Sequence, residues 1–107
     1  MREAVKDKGR IEHMLFAINN VEEFTVNVNA EEFVESKILF YAVVKNIEII
    51  GEASYMLTKE FKLSHSNIPW QIMEKMRHTM SPKEVWETAQ EDLPILKKQL
   101  TDLLKEI

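Results

Sequence analysis

The sequence predicts an all-α protein, an antiparallel up-and-down bundle of four to five helices. Hydrophobic residues recur at helical spacing along most of the chain, and the one stretch with strand-like alternation, TVNVN, is short. Signals for a helix start precede several of the periodic segments. The 107 residues suit a single domain, residues 1–107, and a hydrophobic share of 45% is enough for a core.

The first helix is predicted from Arg2 to Phe24, because its apolar residues fall three and four positions apart. We interpret TVNVN as a loop. Asn29, which ends it, is followed by an alanine and two glutamates, a pattern typical of an N-cap with acids in the first turn. A short helix is therefore predicted from Ala30 to Glu35.

The next helix is predicted from Ile38 to Phe61 as the most buried element. It is apolar on most of its circumference from Ile38 to Ile50, a pattern expected at the centre of a bundle. Gly51 costs about 1 kcal/mol relative to alanine inside a helix. We expect a neighbouring backbone to pack closely against it, and a glycine in such an apolar helix is one reason to expect a homodimer.

One stripe of this central helix is polar. Lys45, Glu48 and Glu52 lie three and seven positions apart, and Asn46 lies just beside them. The stripe is either a solvated surface with a weak Lys–Glu pair or a polar layer behind a functional site.

The remaining helices are marked by proline. Pro69 suits the first turn of a helix whose apolar stripe is Ile72, Met73, Met76 and Met80. Ser81, Pro82 and Glu84 form the pattern of a capping box, and Val85, Trp86 and Ala89 follow as a buried face. A kink or restart is predicted at Pro94, and the last helix is expected to bury Leu96, Leu100, Leu103, Leu104 and Ile107.

The connection between Met80 and Ser81 is unusually short. One helical pattern continues to Met80 and the next helix is capped by Ser81, whereas helix–helix connections usually take about 2–8 residues. Either the earlier helix ends before Met80, or a segment is missing here.

Composition excludes several classes of site. The chain has no cysteine and a formal net charge of −4, which excludes disulfides and makes the overall field a poor one for a polyanion. The longest apolar run, ILFYAVV, is too short to span a bilayer. We expect a cytoplasmic protein with no membrane contact. The histidines lack metal-ligand spacing, so neither a metal nor another cofactor is expected.

An ordered set of motifs resembles the HepT-like ribonuclease toxins of the HEPN superfamily, partners of a minimal nucleotidyltransferase antitoxin. The set is RIEHMLFAI, KNIEIIGEA (Lys45 to Ala53), IPW (Ile68 to Trp70), Arg77, VWE and EDLPILKKQL. The resemblance implies a HEPN-like bundle, a homodimer and an RNA substrate. Lys45 stands where the family more often has arginine.

The resemblance also implies a mechanism. The ribose 2′-OH attacks the adjacent phosphodiester without a metal, a histidine moves a proton, and an arginine stabilises the developing charge. Arg77 matches the arginine of the family's motif, so it is the candidate catalytic residue, with Lys45, Asn46, Glu48 and Glu52 behind it. His78 is more simply explained by its position near a helix C-terminus than by catalysis.

The rest of the motif, His-x-Tyr, is absent between Met80 and Ser81. We predict that these residues are not consecutive in the native gene product and that a turn of about seven residues lies between them. A mobile segment left out of the sequence, a deletion, and a natural inactive member are the three explanations. The alternative function is therefore a catalytically inactive helical module that dimerises and binds a nucleotidyltransferase. A helical scaffold with no toxin role is a third possibility.

Overall fold

A computed structural model describes residues 2–78 and 81–107, and side chains from Lys6 onward. The described part is helical and contains no strand, which confirms the predicted fold class. Its helices are α1 (Arg2–Thr25), α2 (Ala30–Glu35), α3 (Lys37–Met56), α4 (Lys59–Ser64), α5 (Trp70–Glu74), α6 (Pro82–Glu87) and α7 (Leu93–Glu106). None of them, within the described residues, is both long and apolar enough to cross a bilayer.

The core lies between α1 and α3, which pack along each other, and α7 also packs against α1. Phe33 of α2 and Val85 of α6 are also buried in this core. The buried faces of α1 and α7 follow the helical spacing seen in the sequence: Ile11, Met14, Ile18, Val21, Leu96, Leu100 and Leu103. Leu104 packs against the core, whereas Ile107 is exposed, contrary to expectation.

The predicted helix from Ile38 to Phe61 is wrong beyond Met56. The chain is extended at Leu57 and Thr58, and Thr58 caps α4 by accepting a hydrogen bond from the Phe61 amide. The buried Asp7 carboxylate on α1 accepts hydrogen bonds from the Thr58 amide at 2.9 Å and from its hydroxyl at 2.6 Å. These bonds satisfy backbone and side-chain groups that a continuous helix would use differently.

The predicted burial of α3 is confirmed in its middle and wrong near its start. Ile47 and Ile50 are buried, whereas Ile38 and Tyr41 are 83% and 65% exposed. The N-terminal half of α3 therefore presents an apolar surface that no described part of the same chain covers.

The helix predicted from Pro69 through Met80 ends early. After α5 the chain tightens into a 3₁₀ turn, Lys75–Arg77, and His78 is extended. Met73 and Met76 are buried as predicted, but Ile72 is 58% exposed. Met80 and the proposed seam before Ser81 lie outside the described residues, so the missing segment stays a prediction. The chain has more room to turn than the sequence pattern indicated, because the 3₁₀ turn ends at Arg77, three residues before Met80.

The start of α6 agrees with its sequence signals. Ser81 and Glu84 form a reciprocal capping box, and Pro82 occupies the first turn. Val85 and Ala89 are buried and Trp86 is half-buried. The restart predicted at Pro94 is present: a single π-helical turn over Thr88–Asp92 leads into α7, and Pro94 occupies the first turn of α7.

Candidate functional site

A shallow groove of about 340 Å³ lies between α3 and the 3₁₀ turn. Lys45, Glu48, Ile49 and Glu52 line it from α3, and Arg77 lines it from the turn. The three polar residues come together because they are spaced along one face of a helix. Four of the residues predicted for the site thus share one surface.

Gly51 determines how closely the turn approaches α3. A Cβ atom at this position would lie 2.7 Å from the Arg77 nitrogen, 2.9 Å from the Arg77 Cγ and 2.9 Å from the Met73 oxygen. Two of these three atoms are backbone, so rotating a side chain cannot relieve the contact. The expected close backbone is therefore present. It belongs to the same chain, so Gly51 gives no support to a homodimer.

The Arg77 side chain is held from three directions. Its Nε donates to the Glu74 carbonyl at 3.2 Å, and its Nη1 lies 3.9 Å from the Glu52 carboxylate. Its guanidinium carbon lies 3.9 Å from the centre of the Tyr55 ring. Arg77 and Glu52 side chains are 32% and 60% exposed, so this ion pair is not a buried structural one. A phosphate oxygen could displace Glu52 at small cost.

His78 points to a different place from its neighbour. It lines a narrow crevice with Val44, Ile47, Met76 and Val85, whereas Arg77 faces the groove. The backbone changes from the 3₁₀ turn at Arg77 to an extended conformation at His78, and the two side chains line different pockets. His78 does not line the groove that contains Arg77.

Asn46 also lies away from the groove. Its side chain is buried, accepts a hydrogen bond from Asn20 at 3.1 Å and donates one to the Ala42 carbonyl at 2.8 Å. It joins α1 to α3 and does not touch Arg77 in the described structure. Adjacent positions of a helix point about 100° apart, which explains why Asn46 and Lys45 separate.

A second cavity, of about 500 Å³, opens between α4 and α5. Lys62 and Glu74 form a 2.7 Å ion pair at its wall, and Trp70 contributes to its lining. It contains none of the predicted site residues. Among the residues that the structure describes, no group of three or more His, Asp or Glu side chains is arranged to hold a metal ion.

Tyr55 is a member of the site that the sequence reasoning did not identify. The signal was present, because Tyr55 lies three residues after Glu52 and therefore continues the polar stripe of α3. The groove thus offers a guanidinium with an aromatic ring on one face and a lysine nearby. It can bind an oxyanion such as a phosphodiester, while Glu48 and Glu52 limit its net positive charge.

Comparisons with known proteins identify relatives of this chain. A family model described as "Ribonuclease HepT-like" matches residues 14–103. "Probable ribonuclease HepT" of Thermococcus cleftensis is 36% identical over 105 residues, covering 92% of this chain and 96% of that protein. "Putative RNase MJ1380" of Methanocaldococcus jannaschii is 34% identical over 94 residues, covering 81% of this chain and 86% of that protein.

A longer relative also matches. "Gamma-glutamylcyclotransferase and putative RNase MJ0434" of M. jannaschii is 34% identical over 104 residues, which are 91% of this chain. The chain spans 47% of that protein's length. No solved structure matches the chain.

The alignments also report a difference in length. The match to the Thermococcus protein runs over 105 residues, whereas 92% of this chain is about 98 residues. The match to MJ1380 runs over 94 residues, whereas 81% of this chain is about 87. Both relatives thus have about seven residues inside the matched region that this chain lacks, the length of the predicted missing turn.

The family model covers most of the chain and both relatives align over most of their length, so this chain belongs to the HepT-like ribonuclease family.

Proposed function

We propose that this chain is a cytoplasmic, metal-independent endoribonuclease, the toxin component of a pair whose antitoxin is a minimal nucleotidyltransferase. The observation that carries the proposal is the presentation of Arg77 in an open groove, with its backbone held close against Gly51. Membership of the HepT-like family and the ribonuclease names of the relatives support RNA as the substrate. The antitoxin is supported by the family resemblance.

In the proposed reaction the ribose 2′-OH attacks the adjacent phosphorus and the 5′-oxygen leaves, so the products are a cyclic phosphate and a 5′-hydroxyl. Arg77 binds the non-bridging oxygens through the outer edge of its guanidinium, as charge develops there. Lys45 adds positive charge on the same groove. A histidine in the predicted segment between Met80 and Ser81 moves the protons.

We propose that the active form is a homodimer in which two α3 helices pack antiparallel. The exposed face of α3 carries residues at alternating steps of three and four: Ile38, Tyr41, Lys45, Glu48, Glu52 and Tyr55. In an antiparallel pair centred between Asn46 and Ile47, Lys45 of each copy meets Glu48 of the other. Ile38 meets Tyr55, and Tyr41 meets Glu52. Such a surface is self-complementary, as a twofold interface requires.

This arrangement would place both Arg77 residues along one seam. Each Arg77 lies beside Glu52, which is five to six residues from the centre of the pair, or about 8 Å along the helix axis. The apolar ends of the stripe and its Lys45–Glu48 pairs would hold the two copies together, and the Arg77 turns of both copies would border a shared cleft for RNA beside the pair. Light scattering at micromolar concentration tests the proposed dimer, and a monomer contradicts it.

The test of the catalytic proposal is cleavage of RNA by the native gene product in excess EDTA. We expect Arg77→Ala to reduce the rate by about 10²–10³, the usual effect of removing a group that stabilises an oxyanion. Lys75→Ala is the matched control, since Lys75 is an exposed cation on the same 3₁₀ turn but does not line the groove. Equal cleavage by wild type and Arg77→Ala would exclude the role of Arg77.

A second candidate is a non-catalytic module that keeps the dimer and the nucleotidyltransferase contact but has lost cleavage. It is favoured by the missing His-x-Tyr and by the difference of about seven residues from the relatives. Under this alternative, the intact wild-type gene product does not cleave RNA. A small nucleotidyltransferase that is encoded beside this chain and co-purifies with it supports both candidates over a helical scaffold with no toxin role.

A further inference from the structure

The Arg77 guanidinium carbon lies over the Tyr55 ring, 3.9 Å from the ring centre. That distance is van der Waals contact between a cation and an aromatic face. Tyr55 itself is 52% exposed. The ring thus contacts the guanidinium on one side, and about half of Tyr55 stays exposed in the single chain.

The other contacts of Arg77 leave its outer edge available. Within the described residues, its hydrogen bond uses Nε, and the Glu52 carboxylate lies 3.9 Å from Nη1, beyond hydrogen-bond distance. Two nitrogens can therefore still donate to two oxygens of one phosphate. The Glu74 carbonyl, which accepts from Nε, and the Tyr55 ring, which contacts the guanidinium, together fix the direction in which these two nitrogens point.

Gly51 and Tyr55 act on Arg77 from consecutive turns of α3. Gly51 admits the backbone of Arg77, and four residues later Tyr55 meets the end of its side chain. Positions four apart lie on the same face of a helix. A single face of α3 thus positions the arginine at both its base and its tip.

We infer that Tyr55 is a positioning residue, which holds the Arg77 guanidinium in the orientation that binds a phosphodiester. The inference rests on the proposed function for its ligand, while the stacked pair itself is independent of it. An unstacked arginine side chain must lose rotamer freedom when it binds phosphate. The Tyr55 ring removes that freedom in advance, which is the ordinary advantage of preorganisation.

The chain provides a matched control for this residue. Tyr41 is the other tyrosine, it is also exposed on the same stripe of α3, and its ring contacts Phe40. Tyr41→Leu therefore removes an exposed ring from the proposed dimer face without removing the stack on Arg77. Tyr55→Phe keeps the stacking ring and removes the hydroxyl.

The first measurement is NMR of the arginine Nε–Hε groups, which needs no RNA. The ring current of Tyr55 shifts the Arg77 resonance, which is assigned by its loss in Arg77→Ala. We expect Tyr55→Leu to move this resonance toward the position of a free arginine, while Tyr55→Phe and Tyr41→Leu leave it in place. An unchanged resonance in a folded Tyr55→Leu variant would overturn the stacked arrangement.

The second measurement is the affinity for a single-stranded RNA with 2′-O-methyl groups, which cannot be cleaved by 2′-OH attack. We expect Tyr55→Leu to weaken binding about two- to five-fold, the range of an exposed cation–π contact, and Tyr55→Phe to bind like wild type. In the Arg77→Ala background, Tyr55→Leu should have no further effect. A loss of the same size in that background means that Tyr55 contacts RNA directly, which overturns the positioning role.

Failure of the proposed RNA groove can be distinguished from failure of the positioning role of Tyr55. If Arg77→Ala binds this RNA as tightly as wild type, the proposed RNA groove fails, and with it the ligand assigned to Tyr55. The NMR result still decides whether Tyr55 holds Arg77. Light scattering of each variant at the assay concentration shows whether a change in affinity follows a change in oligomeric state.

Discussion

Replacing Gly51 with alanine tests how tightly the Arg77 turn is packed against α3. The added Cβ would lie 2.7–2.9 Å from two backbone atoms and one side-chain atom. Because backbone atoms cannot rotate away, α5 and the 3₁₀ turn must shift. Overpacking of this kind costs about 1–3 kcal/mol, and the better helix propensity of alanine returns about 1 kcal/mol. We therefore expect Gly51→Ala to lower the free energy of unfolding by up to about 2 kcal/mol.

Gly9→Ala is the control for the propensity term. Gly9 lies within α1, and among the described residues a Cβ built there meets nothing within 4 Å. This variant should gain up to about 1 kcal/mol, so the two variants should differ by about 1–3 kcal/mol. Urea unfolding followed by tryptophan fluorescence measures both, and Gly51→Ala should also weaken RNA binding because it displaces Arg77. If both variants are stabilised equally, the packing argument is refuted.

Three further predictions concern other parts of the chain. Asp7→Ala should lower the free energy of unfolding by about 1–3 kcal/mol, because it leaves the Thr58 amide and hydroxyl without their buried acceptor. Unchanged stability in thermal unfolding would contradict this. The intact mass of the native gene product should exceed 12.6 kDa. If it does not, a seven-residue insert with His-x-Tyr between Met80 and Ser81 should raise RNA cleavage about 10²–10⁴-fold, and no gain would refute the missing-histidine explanation. Lys45→Glu should weaken the dimer in light scattering, and adding Glu48→Lys should restore it; failure of the double variant to recover contradicts the antiparallel pairing.

Local signals predicted the helix starts well. Asn29 and Ser81 each cap a helix through contacts within three residues, so the information is contained in a short stretch of sequence. The end of α3 could not be predicted in this way. Its break at Thr58 depends on Asp7, which lies 51 positions away in the sequence. The local apolar pattern continues past this break, so it wrongly predicts a longer helix.

The candidate site was predictable to the extent that it follows helix geometry. Lys45, Glu48 and Glu52 come together because they share one face of α3. That they lie close to Arg77 was predicted only from the family resemblance, since no local pattern relates residues on two different elements. Asn46 was grouped with them by sequence proximity, whereas its amide is used to join α1 to α3.

The close packing of the Arg77 turn against Gly51 has a consequence for assembly. Both residues belong to the same chain, so the position of the arginine is set when each copy folds and does not depend on a second copy. Association would then determine the spacing between two arginines that are already in place. Conditions that dissociate the protein should therefore abolish joint action of the two arginines while leaving each one able to hold a phosphate.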